Sequence, residues 1–206
     1  MVAAAGVYKR KDSFYTRAKA AGYRSRAAFK LQELVGKSRL LRRGDRIIDL
    51  GAWPGGWLQV ALQHVGPAGR VVAVDVQSIE PLHAPNVVVV TGDIRDPQVQ
   101  ERVIAACEGA VDVVLSDLAP KLTGVRARDE AHAQELADCV VSLAQRLLKR
   151  GGHLIVKLFT SSALPVQLAQ LRTHFGHVRT TRPDATRKGS AEIYAVATDF
   201  TGARTP

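Results

Sequence analysis

The fold of this chain is indicated by one stretch, Ile47-Ile48-Asp49-Leu50-Gly51-Ala52-Trp53-Pro54-Gly55-Gly56-Trp57, in which an apolar run reaches an acid and then a glycine-rich turn. Apolar positions resume at Leu58, Val60, Ala61 and Leu62. This order predicts a buried strand, a tight loop and a helix start, as nucleotide-type cofactors require. Glycines let a ligand approach the backbone, and the first helical turn has free N–H groups. Because the spacing is not G-x-G-x-x-G and no G-K-[ST] follows, neither dinucleotide nor triphosphate binding is indicated.

The composition is that of an ordinary globular protein. The chain has 206 residues, of which 46% are hydrophobic and 23% charged, and this suits one domain with a substantial core. No apolar run approaches the ~20 residues of a membrane span, and the N-terminus lacks the apolar core of a secretory signal. Cys107 and Cys139 are far apart without metal-ligand spacing, and the histidines are scattered. We therefore expect a cytoplasmic protein that holds no metal ion and contacts no membrane.

The net charge of +10 is distributed unevenly. The basic residues of the first 46 positions are Lys9, Arg10, Lys11, Arg17, Lys19, Arg24, Arg26, Lys30, Lys37, Arg39, Arg42, Arg43 and Arg46, and they are opposed by Asp12, Glu33 and Asp45. A second basic group comprises Arg179, Arg182, Arg187 and Lys188. Such clusters favour a polyanion such as RNA over a small acidic substrate, and we expect the first cluster to form the RNA-binding face. Composition alone leaves a merely solvated basic surface open as the alternative.

Strands and helices alternate along the chain after a flexible basic arm expected at residues 1–12. Apolar spacing predicts helices over residues 25–37, 57–65, 97–107, 130–149 and 164–175. Strands are predicted over residues 46–51, 70–76, 86–90, 111–115, 153–159, 177–181 and 192–198, the last two as a hairpin. The pattern predicts a doubly wound, Rossmann-like α/β fold: a mostly parallel sheet with helices on both faces and one antiparallel strand in the C-terminal hairpin. This arrangement resembles the methyltransferase variant of the doubly wound fold.

Five residues follow or end the predicted parallel strands, namely Gly51, Asp75, Asp93, Asp117 and Lys157. Ligands of such sheets bind beyond the carboxyl ends of the strands, so we expect these residues around one crevice. A carboxylate at Asp75 could accept both ribose hydroxyls of an adenosine cofactor, and Asp93 could accept from the adenine amine. Either acid taken alone is as well explained as a loop cap.

Four further blocks of the sequence contain polar residues that bear on function. They are Ser25-Arg26-Ala27-Ala28-Phe29-Lys30-Leu31, Ser116-Asp117-Leu118-Ala119-Pro120, Val156-Lys157-Leu158-Phe159 and Ser190-Ala191-Glu192-Ile193-Tyr194. Together with the glycine-rich stretch, these blocks resemble the motifs of the FtsJ-like RNA ribose methyltransferases. They occur in the same order as in that family, and the resemblance extends over residues 13–200. The resemblance implies a catalytic tetrad of Lys30, Asp117, Lys157 and Glu192. It also implies that S-adenosyl-L-methionine is the cofactor, held by Gly51, Gly55, Trp57, Asp75, Asp93 and Asp117.

The resemblance implies transfer of a methyl group to a ribose 2′-hydroxyl of RNA by a single, monomeric methyltransferase domain spanning residues 1–206. This compact chain is similar to the family members that methylate a uridine of large-subunit ribosomal RNA in the assembled subunit. Transfer RNA, which other members modify, is the alternative substrate. The reaction is an in-line displacement, so the reacting atoms must be aligned and the hydroxyl must lose its proton. Lys157 accepts a proton only when neutral. Whether it is the base or an electrostatic partner of the oxyanion stays open.

Two residues depart from the family pattern. Trp53 stands where a small residue is usual, which puts cofactor affinity in question, and Lys121 stands where asparagine is common. A non-catalytic RNA-binding relic with a degenerate cofactor site is one competing hypothesis, and the intact tetrad argues against it. A small-molecule methyltransferase is another, and it leaves the basic N-terminal segment unexplained.

Overall fold

The computed structural model describes residues 13–36, 39–121, 123–187 and 189–202, so the predicted arm at residues 1–12 lies outside the described residues. The helices are α1 (Ser13–Ala20), α2 (Ala27–Gly36), α3 (Gly56–Val65), α4 (Pro97–Cys107), α5 (Arg126–Leu147) and α6 (Leu164–His174). The strands are β1 (Arg46–Leu50), β2 (Arg70–Asp75), β3 (Val87–Thr91), β4 (Val111–Ser116), β5 (Leu148–Phe159), β6 (Phe175–Thr181) and β7 (Glu192–Phe200). Across these ranges, no helix is both long and apolar enough to span a bilayer.

Within the described residues, the strands form a seven-stranded sheet in the order β3-β2-β1-β4-β5-β7-β6. Strands β3, β2, β1, β4 and β5 are parallel to one another. Strand β7 lies between β5 and β6 and is antiparallel to both. The predicted fold is therefore confirmed, including the reversed strand of the C-terminal hairpin.

The core consists of two apolar layers, one on each face of the sheet. Successive side chains of a strand point to opposite faces. Ile48 and Leu50 therefore pack with the layer of α4, α5 and α6, whereas Ile47 packs with the layer of α2 and α3. Each fully buried aliphatic side chain contributes ~1.5–3 kcal/mol. Burial on both faces explains why β1 reads as an apolar run and not as an alternating pattern.

The junction of α5 and β5 differs from the prediction. The helix predicted over residues 130–149 spans Arg126–Leu147, and the strand predicted from His153 already begins at Leu148. The two glycines expected to stop the helix lie inside β5, where its register with β4 shifts. A Cβ at Gly152 would lie 2.9 Å from the Lys149 carbonyl oxygen. Glycine therefore fits this bulge, which the sequence pattern presents as a helix end.

Helix α1 is not predicted by the sequence pattern. Its residues show no apolar stripe, and Ala18 is the buried one among them. Its contacts come from α2: the Phe14 and Phe29 rings lie 6.0 Å apart, and the Arg17 guanidinium lies 5.0 Å from the Phe29 ring centre. Tertiary packing, and not intrinsic helix propensity, accounts for this short helix.

Candidate active site

The carboxyl ends of β1 to β4 open into a cavity of about 900 Å³, called here the first cavity. Four of the predicted site residues line it, namely Gly51, Asp75, Asp93 and Asp117. Leu118, Ile94 and Leu136 add apolar surface to its wall. These residues meet because parallel strands end at the same edge of a sheet, which is where ligands of such folds bind.

Gly51 allows the loop after β1 to pass close to the loop after β4. Its φ of 81° is left-handed, and a Cβ there would lie 2.9 Å from the Leu118 nitrogen. The Gly51 and Ala52 N–H groups both donate to the Val74 carbonyl, at 2.9 and 3.1 Å. A side chain at Gly51 would therefore force the two loops apart and reshape the cavity wall.

The Asp75 carboxylate holds the backbone of the two loops that border the first cavity. Its Oδ2 accepts the Trp53 N–H at 2.9 Å, and its Oδ1 accepts the Gln77 N–H at 2.9 Å. Each carboxylate oxygen has two acceptor positions. One position on each oxygen therefore remains for a ligand, which is the number that two ribose hydroxyls need.

The Asp93 carboxylate is already occupied by Arg95. The Arg95 Nη2 donates to Oδ2 at 2.6 Å, its Nε to Oδ1 at 3.0 Å, and its backbone N–H to Oδ1 at 2.9 Å. These hydrogen bonds lower the pKa of Asp93. Arg95 also reaches Glu135 of α5, with 3.4 Å between nitrogen and oxygen. Asp93 thus has fewer acceptor positions for a ligand than Asp75, a difference that the sequence pattern does not reveal.

Two residues predicted to hold the cofactor, Gly55 and Trp57, are described by the structure but do not line the first cavity. Trp57 is 2% exposed, its Nε1 donates to the Ala27 carbonyl at 2.8 Å, and its ring centre lies 5.8 Å from that of Tyr194. At Gly55, which has a φ of 113°, a Cβ would lie 2.9 Å from the Arg24 side chain. Both residues pack α2 and its preceding loop against α3, and their contacts with the cofactor stay a prediction.

The predicted tetrad consists of two lysine–carboxylate pairs. The Lys157 Nζ donates to the Asp117 Oδ1 at 3.0 Å and to the Asp117 carbonyl at 2.6 Å. Lys30 pairs with Glu192. The side chains of Lys157 and Lys30 are 7% and 10% exposed, a degree of burial that lysine rarely shows without a partner. The structure therefore brings all four residues into contact as pairs.

Tyr194, to which the sequence analysis assigns no role, joins the two pairs. Its hydroxyl donates to the Asp117 Oδ1 at 2.6 Å and accepts from the Lys30 Nζ at 3.2 Å. Burial, reinforced by the Asp117 charge, raises the pKa of Tyr194 well above its ordinary value, so the phenol keeps its proton. Tyr194 follows Glu192 by two residues in β7 and therefore shares its face. That spacing is the sequence signal by which its role could have been found.

Asp49, the acid of the glycine-rich stretch, is buried within the core. It is 0% exposed, and neither of its carboxylate oxygens has a hydrogen-bond partner among the described residues. Burial, with smaller effects from the charges of Asp117 and Asp75, raises the pKa of Asp49 well above its ordinary value. Burial thus disfavours the charged form of this acid in the folded protein relative to the unfolded chain.

A second cavity, of about 440 Å³, adjoins the tetrad. Its charged lining residues are Arg26, Lys30, Lys157, Arg187 and Glu192. It shares Ala119 and Pro120 with the first cavity, which Asp117 lines. The tetrad therefore stands between two cavities, and Lys157, expected in the same crevice as the strand-end acids, faces the second one.

Both departures from the family pattern lie at the first cavity. Trp53 and Lys121 line it, and Trp53 is 49% exposed. Lys121 is exposed as well. These two residues change the wall of the first cavity and leave the hydrogen bonds of the tetrad untouched.

The fold and this site define the class of the protein as a Rossmann-like methyltransferase. The model of the FtsJ-like methyltransferases matches residues 23–200. Over 194 residues the chain is 44% identical to the Ribosomal RNA large subunit methyltransferase E of Methanothermobacter thermautotrophicus, covering 94% of this chain and 92% of that protein. The chain belongs to the FtsJ-like methyltransferase family.

Solved structures agree with this assignment. A crystal structure described as a ribosomal RNA methyltransferase from Plasmodium falciparum is 30% identical, with a TM-score of 0.76 over 87% of this chain and 100% of that chain. Fibrillarin from Aeropyrum pernix, which contains natively bound S-adenosyl-L-methionine, is 20% identical, with a TM-score of 0.56 over 84% of this chain and 73% of that chain. The likeness to fibrillarin concerns the fold alone.

Proposed function

We propose that the protein transfers a methyl group from S-adenosyl-L-methionine to the 2′-hydroxyl of a ribose in RNA. The proposed target is a uridine of large-subunit ribosomal RNA in the assembled subunit. The observation that carries the proposal is the position of the tetrad between two cavities whose walls have opposite charge. The relatives named for methylation of large-subunit ribosomal RNA support the choice of RNA.

The residues of the first cavity fit the proposed cofactor. The volume of about 900 Å³ lies in the range of small-molecule sites. The remaining acceptor positions of Asp75 suit two ribose hydroxyls, and the apolar surfaces of Ile94 and Leu136 suit a purine ring. Asp117 adds a negative charge that suits a cationic ligand. When bound, S-adenosyl-L-methionine supplies a methyl group activated by its positively charged sulfur.

We assign Lys157 to act on the ribose hydroxyl. An ammonium group has three N–H donors, and Lys157 directs two of them to the carbonyl and carboxylate oxygens of Asp117. One position therefore remains on a side chain that lines the second cavity. In the neutral amine this position is a lone pair that can take the hydroxyl proton, and in the ammonium form it donates to the developing oxyanion.

The other members of the network orient Lys157. Asp117 receives hydrogen bonds from both Lys157 and Tyr194, which fixes the direction of its carboxylate. Lys30 donates to the Tyr194 hydroxyl and pairs with Glu192, so its own charge is compensated while it faces the second cavity. We assign Asp117 and Tyr194 to positioning Lys157, and the Lys30–Glu192 pair to positioning the acceptor ribose.

Arg26 and Arg187 supply the charge that an RNA phosphate requires at the second cavity. The Arg26 Nη2 donates to the Ala185 carbonyl at 2.5 Å, which holds the guanidinium at the cavity wall. Both guanidinium groups line this cavity, and burial together with repulsion by the Arg187 charge lowers the pKa of Arg26. A phosphate between them would relieve this repulsion, and guanidinium groups bind phosphate in a bidentate way.

The proposal treats the whole chain as one methyltransferase domain. The family match over residues 23–200 and the two core layers on one sheet support this assignment. The monomeric state and the cytoplasmic location stay predictions.

The proposed function is tested by locating the transferred methyl group. The parent protein and a Lys157→Ala variant are incubated with S-adenosyl-L-methionine carrying a tritiated methyl group. The acceptors are large-subunit ribosomal RNA, assembled large subunits, transfer RNA and a catechol. The RNA is then hydrolysed in alkali, which cleaves only beside a free 2′-hydroxyl. A methylated ribose oxygen therefore leaves an alkali-stable labelled dinucleotide, whereas a methylated base leaves labelled mononucleotides.

We expect a labelled dinucleotide containing uridine from the parent with large-subunit RNA or subunits, and almost none from Lys157→Ala. Labelled mononucleotides would overturn ribose methylation, and label in transfer RNA alone would reassign the substrate. Label in the catechol would indicate a small-molecule enzyme. RNA binding without calorimetrically detectable binding of S-adenosyl-L-methionine would indicate a non-catalytic relic.

A further inference from the structure

Exposed basic side chains gather at the amino ends of the parallel strands, at the edge of the sheet opposite both cavities. Arg42 and Lys149 line one small depression there, beside Asp45 before β1 and Asp112 in β4. The Arg42 Nε lies 3.4 Å from the Arg39 carbonyl oxygen. A Cβ at Gly66, which follows α3, would lie 2.6 Å from the Arg43 Nη1, so Arg43 belongs to the same edge. The amino-edge surface consists of the exposed side chains of Arg39, Arg42, Arg43, Lys149 and Arg150.

The carboxylates at this edge are used within the protein. Asp45 Oδ2 accepts the Arg42 backbone N–H at 2.7 Å. Asp112 Oδ2 accepts the Arg46 backbone N–H at 2.7 Å, and its Oδ1 pairs with Lys149. Among the described residues, no carboxylate forms an ion pair with an arginine of the amino-edge surface. As far as the described residues extend, the guanidinium charge of this surface is therefore available to an external anion.

The amino-edge surface is separate from the second cavity. Asp45 and Gly51 are six positions apart, which corresponds to ~20 Å at ~3.3 Å per residue of strand. Arg24 and Arg26, from the same basic segment of the sequence, lie at the opposite, carboxyl edge. Arg24 donates to the Glu80 carbonyl at 2.6 Å, and Arg26 lines the second cavity. The expectation that the segment forms one RNA-binding face is therefore corrected, because α2 separates Arg24 and Arg26 from Arg39 and Arg42 and the two groups lie at opposite edges.

We propose that the amino-edge surface binds the phosphate backbone of an RNA segment distant from the methylated nucleotide, which makes a large folded RNA the preferred substrate. This inference rests on the function proposed above. An RNA that fills the second cavity and also reaches the amino edge passes around the domain over ~20 Å or more, which a large folded RNA can do and a hairpin shorter than this path cannot. Exposed guanidinium groups provide the matching phosphate contacts.

The test compares charge reversal at this edge with reversal elsewhere. The variant carries Arg43→Glu and Arg150→Glu, and the matched control carries Arg102→Glu and Arg172→Glu, exposed positions on α4 and α6. Binding to a large transcript of large-subunit ribosomal RNA and to a short hairpin is measured without cofactor over a range of salt concentrations. Melting temperatures and binding of S-adenosyl-L-methionine verify that each variant is folded. Methyl transfer to the same RNAs is measured separately.

We expect the amino-edge variant to bind the large transcript about tenfold more weakly and to lose about two units of the slope of log K against log salt. Its binding to the hairpin should match that of the parent, and the control should bind both RNAs like the parent. An equal loss in the control would show that net charge alone acts, and an unchanged slope would remove the surface from RNA binding. Both outcomes overturn the proposal, as would a loss with assembled subunits but not with naked RNA, which would indicate a protein contact.

These outcomes are independent of the proposed activity. If the parent protein methylates RNA while the amino-edge variant keeps the parental slope, only the RNA-binding role of the amino-edge surface is refuted. If the parent protein methylates no RNA but the amino-edge variant loses slope, the proposed activity is refuted and the amino-edge surface still binds RNA.

Discussion

The two cavities at the carboxyl edge differ in the sign of the charge on their walls. Of the described residues, three carboxylates and two cationic side chains line the first, whereas four cationic side chains and one carboxylate line the second. A cationic ligand with hydroxyl groups suits the first, and a phosphate-bearing ligand suits the second. The site can thus hold two ligands of opposite charge side by side.

The boundary between the cavities explains how such opposite walls can be adjacent. Lys157 is compensated by Asp117, and Lys30 by Glu192, so each buried charge has a partner. Tyr194 links the pairs through a hydroxyl that donates to one and accepts from the other. Buried pairs of this kind are weak evidence for stability, but removing one partner is costly because it leaves the other uncompensated. The boundary is therefore better suited to holding reactants than to stabilising the fold.

The largest expected effect comes from removing the lysine at the boundary. Lys157→Ala should lower kcat by ~10²–10⁴-fold, because a positioned proton acceptor or oxyanion partner is lost. Binding of S-adenosyl-L-methionine and of RNA should stay near parental, since other residues supply those contacts. The measurement is single-turnover methylation at saturating RNA, with Lys19→Ala, an exposed lysine of α1, as the control.

Lys157→Arg separates the two roles of the lysine, since arginine keeps the charge but cannot release its proton. Loss of activity supports proton transfer, and retained activity supports the electrostatic role. A parental rate in Lys157→Ala would refute the mechanism.

Asp75 and Asp93, which both line the first cavity, should contribute unequally to the affinity for S-adenosyl-L-methionine. Asp75→Asn should weaken S-adenosyl-L-methionine binding by ~1.5–3 kcal/mol, the range for a hydrogen bond to a charged group. Asp93→Asn should have a smaller effect, because Arg95 already occupies that carboxylate. Calorimetric titration of both variants measures the difference. An equal or larger loss in Asp93→Asn would contradict the inequality, and RNA affinity without cofactor serves as the control.

Asp49 should make the free energy of unfolding depend on pH. Because its folded-state pKa is raised, the folded protein binds this proton more tightly than the unfolded chain does. As the pH rises above the ordinary aspartate value, the free energy of unfolding should therefore fall, by at most ~1.4 kcal/mol per pH unit, until the raised pKa is reached. Asp49→Asn should lose this dependence and become progressively more stable than the parent.

Urea unfolding of the parent and Asp49→Asn at several values of pH between 5 and 8 measures the difference between the two proteins, so contributions of other groups cancel. Asp138→Asn, at an exposed position of α5, is the control. Parallel pH curves for parent and Asp49→Asn would show that the acid is ionised in the fold.

The link between the two pairs should have a moderate effect. Tyr194→Phe keeps the ring but removes the hydroxyl that joins Lys30 to Asp117. One hydrogen bond of ~0.5–1.5 kcal/mol then no longer orients Asp117, and kcat should fall by roughly threefold to tenfold. KM for RNA should stay the same, because Tyr194 is not among the described residues that line the second cavity. A raised KM with an unchanged kcat would assign Tyr194 to substrate binding instead.

The basic wall of the second cavity should show the smallest effect for a single residue. Arg187→Ala should reduce the slope of log K against log salt for RNA binding by about one unit, the value of one phosphate contact. Arg182→Ala, an exposed arginine of the same loop that does not line the described walls of the cavity, should leave the slope unchanged. Equal slopes for the two variants would move the phosphate contact elsewhere. Binding of S-adenosyl-L-methionine should be parental in both.

The order and type of nearly all elements follow from local patterns in the sequence. The apolar runs at β1, β2 and β4, the helical spacing of α2 to α6 and the glycine-rich turn were enough to predict the sheet with its reversed strand. The same patterns predict that Gly51, Asp75, Asp93 and Asp117 share one edge, because parallel strands end together. The failures are α1, held by contacts with Phe29, and the start of β5, where a bulge at Gly152 looks like a helix stop.

Hence the sequence by itself determined the fold class, the family resemblance and the edge of the sheet that carries the site, because periodicity and strand ends are properties of neighbouring residues. Only the tertiary structure decided which side chains meet. Tyr194 meets Asp117 across 77 positions, and Lys30 meets Glu192 across 162. It also placed Trp57 in the core and divided one basic segment between two edges. Such contacts depend on how distant elements pack, and the charge or type of a residue does not specify that.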